Sequence, residues 1–114
     1  MNSVALVAKS DRIRVLNDNL RITFAGGKIM LTAGVDALPD EAKAEVLSKV
    51  RTFAAFNGDN DPHGEHDFGS FELAGVNYFF KVDYYSLDMQ GGSEDPADPN
   101  VTTRVLTIMR ADEY

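Results

Sequence analysis

At 114 residues, with 44% hydrophobic and 25% charged side chains, the chain has the size and composition of one globular domain spanning residues 1–114. The absence of cysteine excludes disulfide scaffolds, thiolate metal sites and cysteine nucleophiles. A formal charge of -7 and a pI of about 4.6 argue against direct nucleic-acid binding and against anionic membranes, because a polyanion is held by a basic footprint.

The apolar run Val4 to Ala8 is too short for a signal-peptide core or a membrane span, which points to the cytoplasm. Residues 10–24 read as a helix. Ser10 and Asp11 suit its start, Ile13, Leu16, Leu20 and Phe24 recur every three or four residues, and Gly26-Gly27 stops it. Arg14 and Asp18 sit on the opposite face. Lys28 to Ala33 alternates as a short strand, ended by Gly34.

The second helix opens at Pro39, with Asp40 and Glu41 complementing the positive end of its dipole. Ala42, Val46, Val50, Phe53 and Ala54 line one face, and Asn57-Gly58 is the expected stop. An acidic, glycine-punctuated loop follows, holding both histidines. It leads into two strands, Asp67 to Leu73 and Val76 to Tyr85, joined by the two-residue turn Ala74-Gly75. That turn fixes the register. Leu73 faces Val76, Phe71 faces Tyr78 and Gly69 faces Phe80 on the apolar side. On the other side Glu72 meets Asn77, Ser70 meets Phe79, Phe68 meets Lys81 and His66 meets Asp83.

Residues 86–100, with Gly91-Gly92 and SEDPADPN, form a second acidic loop, long enough to be functional or mobile. Val101 to Met109 reads as a strand through its β-branched residues, with a helix as the alternative. The expected fold is α+β: two helices on a three- to four-stranded antiparallel sheet with a central β-hairpin.

Three constellations could carry chemistry. The density of carboxylates and imidazoles in the first loop suggests a divalent metal, with His63, His66 and Asp83 as ligands. The calcium-loop pattern starts at Asp59, Asp61 and Gly64 but has Ser70 where the bidentate glutamate belongs. A loop of self-bonded Asx turns, with no cofactor, is the favoured reading. The second constellation is acid–base catalysis by His66 and Asp83 with Lys81 as electrostatic stabiliser. No nucleophile accompanies it, and alternating polar residues are what a half-exposed strand shows anyway. The third is a binding surface made of Asp59, Asp61, His63, Glu65 and Asp67, then Glu94, Asp95 and Asp98, and the strand face bearing Phe79, Lys81 and Tyr85.

The segments DNDPHGEHDFG, FFKVDYY and DPADPNVTTRVLTIMRADEY resemble an uncharacterised bacterial family, domain of unknown function 3768. The resemblance runs from RIRVLNDNLR onward. It implies a bacterial cytoplasmic protein, in a setting of mobile genetic elements, and carries no catalytic role to any residue. Charge and setting together favour a small acidic binding protein with a protein partner, such as an anti-defence factor blocking a nucleic-acid-handling complex. A metal-dependent hydrolase using His63, His66 and Asp83 is the alternative, and a homodimer through the hairpin edge is a third.

Overall fold

The computed structural model describes residues 8–114. The order is α1 (Lys9–Thr23), β1 (Lys28–Leu31), a single-turn α2 (Ala33–Asp36), α3 (Asp40–Thr52), β2 (Phe68–Leu73), β3 (Val76–Tyr85) and β4 (Thr103–Arg110), closed by a 3-10 turn at Ala111–Glu113. The expected α+β architecture is present, and the ambiguous C-terminal segment is a strand.

One feature of the sheet differs from expectation. Its order is β1-β4-β3-β2, and β1 runs parallel to β4, so the sheet is mixed. The long central strand β3 is hydrogen-bonded on both sides, to β2 and to β4. The apolar faces of α1, α2 and α3 supply Leu20, Val35, Val46 and Val50, which pack on Phe80 and Ile108 from the sheet. That side is the core; the helices leave the opposite side of the sheet to Phe79, Lys81, Asp83 and Tyr85 and their neighbours.

The hairpin reverses at Ala74-Gly75 as the spacing demands. Both residues have positive φ, 52° and 79°, which is the requirement of a type I′ turn. Every pairing from Leu73–Val76 to Phe68–Lys81 is as the turn dictates. The helix limits are less faithful to the glycines. α1 ends where the 10–24 reading puts it, but its left-handed cap is Phe24 at φ 58° rather than Gly26-Gly27. α3 stops at Thr52, five residues ahead of Asn57, because Phe53 turns extended and sends its ring inward against Phe80 and Phe56 at 5.2 and 4.9 Å. Ala54 of the expected apolar stripe is exposed instead. The strand expected to reach Ala33 ends at Leu31, and α2 begins where alternation was expected to continue. A clasp from the C-terminus explains that bend. The Glu113 carboxylate accepts from Thr32 Oγ1 at 2.7 Å, Gly34 N at 2.8 Å and Arg110 N at 3.0 Å, and these bonds hold its pKa below the usual range.

Gly69 is the position where close packing requires a missing side chain. A Cβ there would lie 2.6 Å from Phe80 Cζ and 2.8 Å from Phe53 Cε1, both rigid rings in the core. Gly69→Ala is expected to cost about 1–3 kcal/mol by overpacking. Urea unfolding should show a lower midpoint with unchanged slope; an unchanged midpoint would refute the packing argument.

Candidate functional site

The two acidic loops are built on one side chain row of α1. Successive turns of that helix present Ile13, Asn17, Leu20 and Arg21 inward, so the buried stripe is half polar. Asn17, fully buried, donates through Nδ2 to Glu65 O at 3.0 Å and Tyr84 Oη at 2.8 Å, and accepts from Arg104 Nε at 2.6 Å. Tyr84 Oη in turn donates to Glu65 Oε1 at 3.0 Å. Burial raises the Tyr84 pKa far above the normal phenol value, so the hydroxyl stays a donor. Arg104 is also buried. Its Nη2 donates to Pro96 O, and its guanidinium lies 5.0 Å from the centre of the Tyr84 ring. Through Asn17 and Arg104, then, the 57–67 loop and the 86–100 loop hang from a single polar network.

Arg21 performs the second junction. Its Nη1 donates to the carbonyls of Val50, Arg51 and Phe53 at 2.9, 3.2 and 2.9 Å at the end of α3, where Val50 O also accepts from Phe53 N at 3.4 Å. Nη2 reaches Asp18 Oδ1 at 3.1 Å, and the cation sits 5.3 Å from the Phe56 ring centre. Asp18 Oδ1 also meets His66 Nδ1 at 2.8 Å, which places the proton on Nδ1, since a carboxylate accepts. The imidazole is stacked on Phe56 at 3.8 Å with an interplanar angle of 4°. Asp18 therefore points inward, and Arg14, its expected neighbour on the outer face, pairs with Asp11 at 2.8 Å.

The expected meeting of His66 and Asp83 does not occur. His66 is left-handed at φ 55°, which breaks the extended conformation two residues before β2. The ladder ends with Val82 N donating to Asp67 O at 2.9 Å. The imidazole then swings to the helix side against Phe56, while Asp83 lies on the opposite side of the sheet, paired with Lys81 at 2.8 Å. The same separation takes Asp83 and Lys81 away from His66 as a catalytic set, and Asp83 away from His66 as a metal set. His63 is exposed at the loop surface. Among the described residues, no group of three or more histidine and acidic side chains is gathered as a metal ion would need.

The acidic residues divide into structural and presented ones. Asp61 is buried, and its Oδ1 accepts from the backbone of Glu65 and His66 at 3.0 and 3.2 Å; its Oδ2 lies 3.7 Å from His66 Nε2. Asn57 and Asn60 close the preceding turn through Asp59 N, Asn60 N and Asn57 N, the Asx pattern expected of a solvated connector. Asp67 is half-buried, and burial raises its pKa. In the second loop Asp95 pairs with Lys9 at 3.2 Å and Asp98 accepts from Asn100 N at 2.9 Å. Ser93 Oγ and Thr102 Oγ1 lie 2.7 Å apart at the base of that loop and tie its two ends together. Asp59 and Glu94 remain exposed at the rim. Between α1 and this loop lies an apolar groove of about 500 Å³ lined by Arg12, Arg14, Val15, Leu16, Ala97 and Pro99. Sequence reasoning missed Asn17, Arg21 and Arg104. The available signal was a polar residue at position 17 and an arginine at position 21, both falling within the apolar spacing of α1.

The sequence pattern of the family described as "Protein of unknown function (DUF3768)" matches residues 31–113, and the chain belongs to that family. No curated protein and no solved structure matches it. Among the described residues no helix is long and apolar enough to cross a membrane.

Two outcomes follow from the network. Arg21→Met removes the side-chain donor from the α3 carbonyls and is expected to cost about 3 kcal/mol, with Arg21→Lys recovering little because an ammonium lacks the planar fork. A loss below about 1 kcal/mol in urea unfolding would refute the junction. Asp67 has a raised folded-state pKa, so its contribution to stability is complete below its unfolded value of 3.8 and is lost as pH rises through the folded value. Asp67→Asn should melt higher than the natural chain at pH 7, with the gap closing below 3.8.

Proposed function

We propose that this member of the family is a binding protein of the bacterial cytoplasm, acting by contact with another protein rather than by catalysis. The observation that carries the reading is the shared anchorage of its two acidic loops. Asn17 and Arg104 hold Glu65 and Pro96 in one hydrogen-bonded network, so both loops are fixed beside α1. A surface held rigid before binding loses less entropy on association, which favours recognition over a floppy connector. The exposed carboxylates Asp59 and Glu94 sit on a chain of formal charge -7, and a groove with Val15, Leu16, Ala97 and Pro99 in its lining, edged by Asp11, Arg12 and Arg14, offers an apolar seat between α1 and the second loop. A buried apolar anchor with a charged rim is the usual anatomy of a protein interface.

The complementary partner is a basic surface. Proteins that hold nucleic acid carry such surfaces, and an acidic protein that occupies one acts as a competitor of the polyanion. In a setting of mobile genetic elements, that partner is a nucleic-acid-handling defence complex, and the protein is an anti-defence factor.

Charge reversal tests the reading. Capture of partners from a bacterial lysate by the tag-free chain should return a basic protein. The pair Asp59→Lys and Glu94→Lys should slow its association by roughly tenfold or more, and added salt should do the same to the natural chain. Capture of no protein, or binding indifferent to both substitutions and to salt, would overturn it.

A further inference from the structure

We propose that the side of the sheet away from the helices is a two-fold interface with a second copy of this chain. This surface is distinct from the acidic loops, and the inference does not rest on their role.

The register defines the face. β3 contributes Phe79, Lys81, Asp83 and Tyr85; Phe79 is flanked by Ser70 and Met109, Lys81 by Phe68 and Thr107, and Asp83 by Val105. β1 adds Lys28 and Met30 beside Val105 and Thr107. Tyr114 lies over it, 5.7 Å from Phe79 and 6.4 Å from Phe68, yet stays 77% exposed, and Met30 is 54% exposed. Large apolar side chains left this open on a sheet face mark a surface that receives something.

Charge decides what. The whole chain carries -7, so most of its surface repels a second copy. The strand residues of this face are the exception, since Lys28 and Lys81 balance Glu72 and Asp83. The central row is also self-complementary. Along β3 it runs aromatic, cation, anion, aromatic: Phe79, Lys81, Asp83, Tyr85. A two-fold axis crossing β3 at Val82 puts Lys81 opposite Asp83 of the second copy and Phe79 opposite its Tyr85, and the reverse pairs follow by symmetry. Lys81 and Asp83 already touch at 2.8 Å within one chain, so the two copies close a ring of four alternating charges. Face-to-face sheets cross at about 30°, and the charged residues lie about 3.3 Å from the axis, so the crossing displaces them by only about 2 Å. Phe79 and Tyr85, about 10 Å from the axis, move by about 5 Å, within the reach of an aromatic ring.

Strands about 4.8 Å apart, of four, eight, ten and six residues, give a face of roughly 440 Å² in projection. That is about half the standard of about 800 Å² per partner, which places the dimer among the small, weak interfaces.

Sedimentation equilibrium of the tag-free full chain tests this up to about 100 µM. The mass should rise with concentration from 12.5 kDa towards twice that value. Lys81→Glu and Asp83→Lys should each stay monomeric, with melting confirming that they fold. The exchange of both, Lys81→Asp with Asp83→Lys, should restore the dimer to within roughly tenfold of the natural affinity. Carbodiimide coupling should join Lys81 to an acidic residue of a second chain. A natural chain that remains monomeric throughout overturns the proposal whatever the variants do and leaves the face to a different partner. So does a dimer that tolerates Lys81→Glu, or one that the exchange does not restore.

Discussion

The structure depends on a helix whose buried stripe is half polar. An inward-facing Asn17 and Arg21 on α1 would each be costly if left unpaired, since a buried polar group without a partner forfeits about 1–3 kcal/mol. Here nearly every donor and acceptor is used; among the described residues Arg21 Nε is the buried side-chain nitrogen or oxygen without a partner. What these residues bind is mostly backbone: Glu65 O, Val50 O, Phe53 O and, through Arg104, Pro96 O. Segments that have no strand or helix of their own are held by side chains of one that does. Replacing the polar stripe by leucines would keep it apolar and remove the groups that hold the loops.

That arrangement redistributes the acidic residues. A carboxylate that orders a loop is turned inward and cannot also meet a partner. Asp18 joins Arg21 to His66, Asp61 caps the backbone of Glu65 and His66, and Glu65 receives Tyr84. The density of charge in the first loop is therefore a sign of folding before it is a sign of binding. His66 belongs to the same economy. Its ring is stacked on Phe56 and bonded to Asp18, which fixes its orientation as a wedge between α1 and the end of α3.

How much was legible follows from the range of each interaction. The hairpin could be read to the residue because a type I′ turn and the two-residue period of a strand are local, and Gly69 opposite Phe80 added a steric check. Extending the same period two residues further, to His66 and Asp83, failed because a left-handed residue lies at position 66, and histidine does not announce that conformation as glycine does. α3 overran for a related reason: its last carbonyls are capped by Arg21, about thirty positions away, and nothing local marks the stop. The parallel pairing of β1 with β4 joins residues 28–31 to 105–108, a contact that no window along the chain contains. Legibility in this protein ends where long-range hydrogen bonds begin.

The mixed sheet also explains why the two sides of the molecule differ. β1 enters after α1 and leaves directly into α2 and α3, so every helix is delivered to one side of the sheet, where Leu106 and Ile108 await them. Among the described residues no helix is left for the other side. The β4 residues on that side, Val105 and Met109, are nonetheless buried at 5% and 2% exposure. A central strand apolar on both faces reads as a near-continuous hydrophobic run, which is why residues 101–109 suit a helix and a strand almost equally in sequence. It is also a strand built for a sheet with something on each side. Helices supply one cover; the alternating aromatic and charged row of β3 supplies only part of the other.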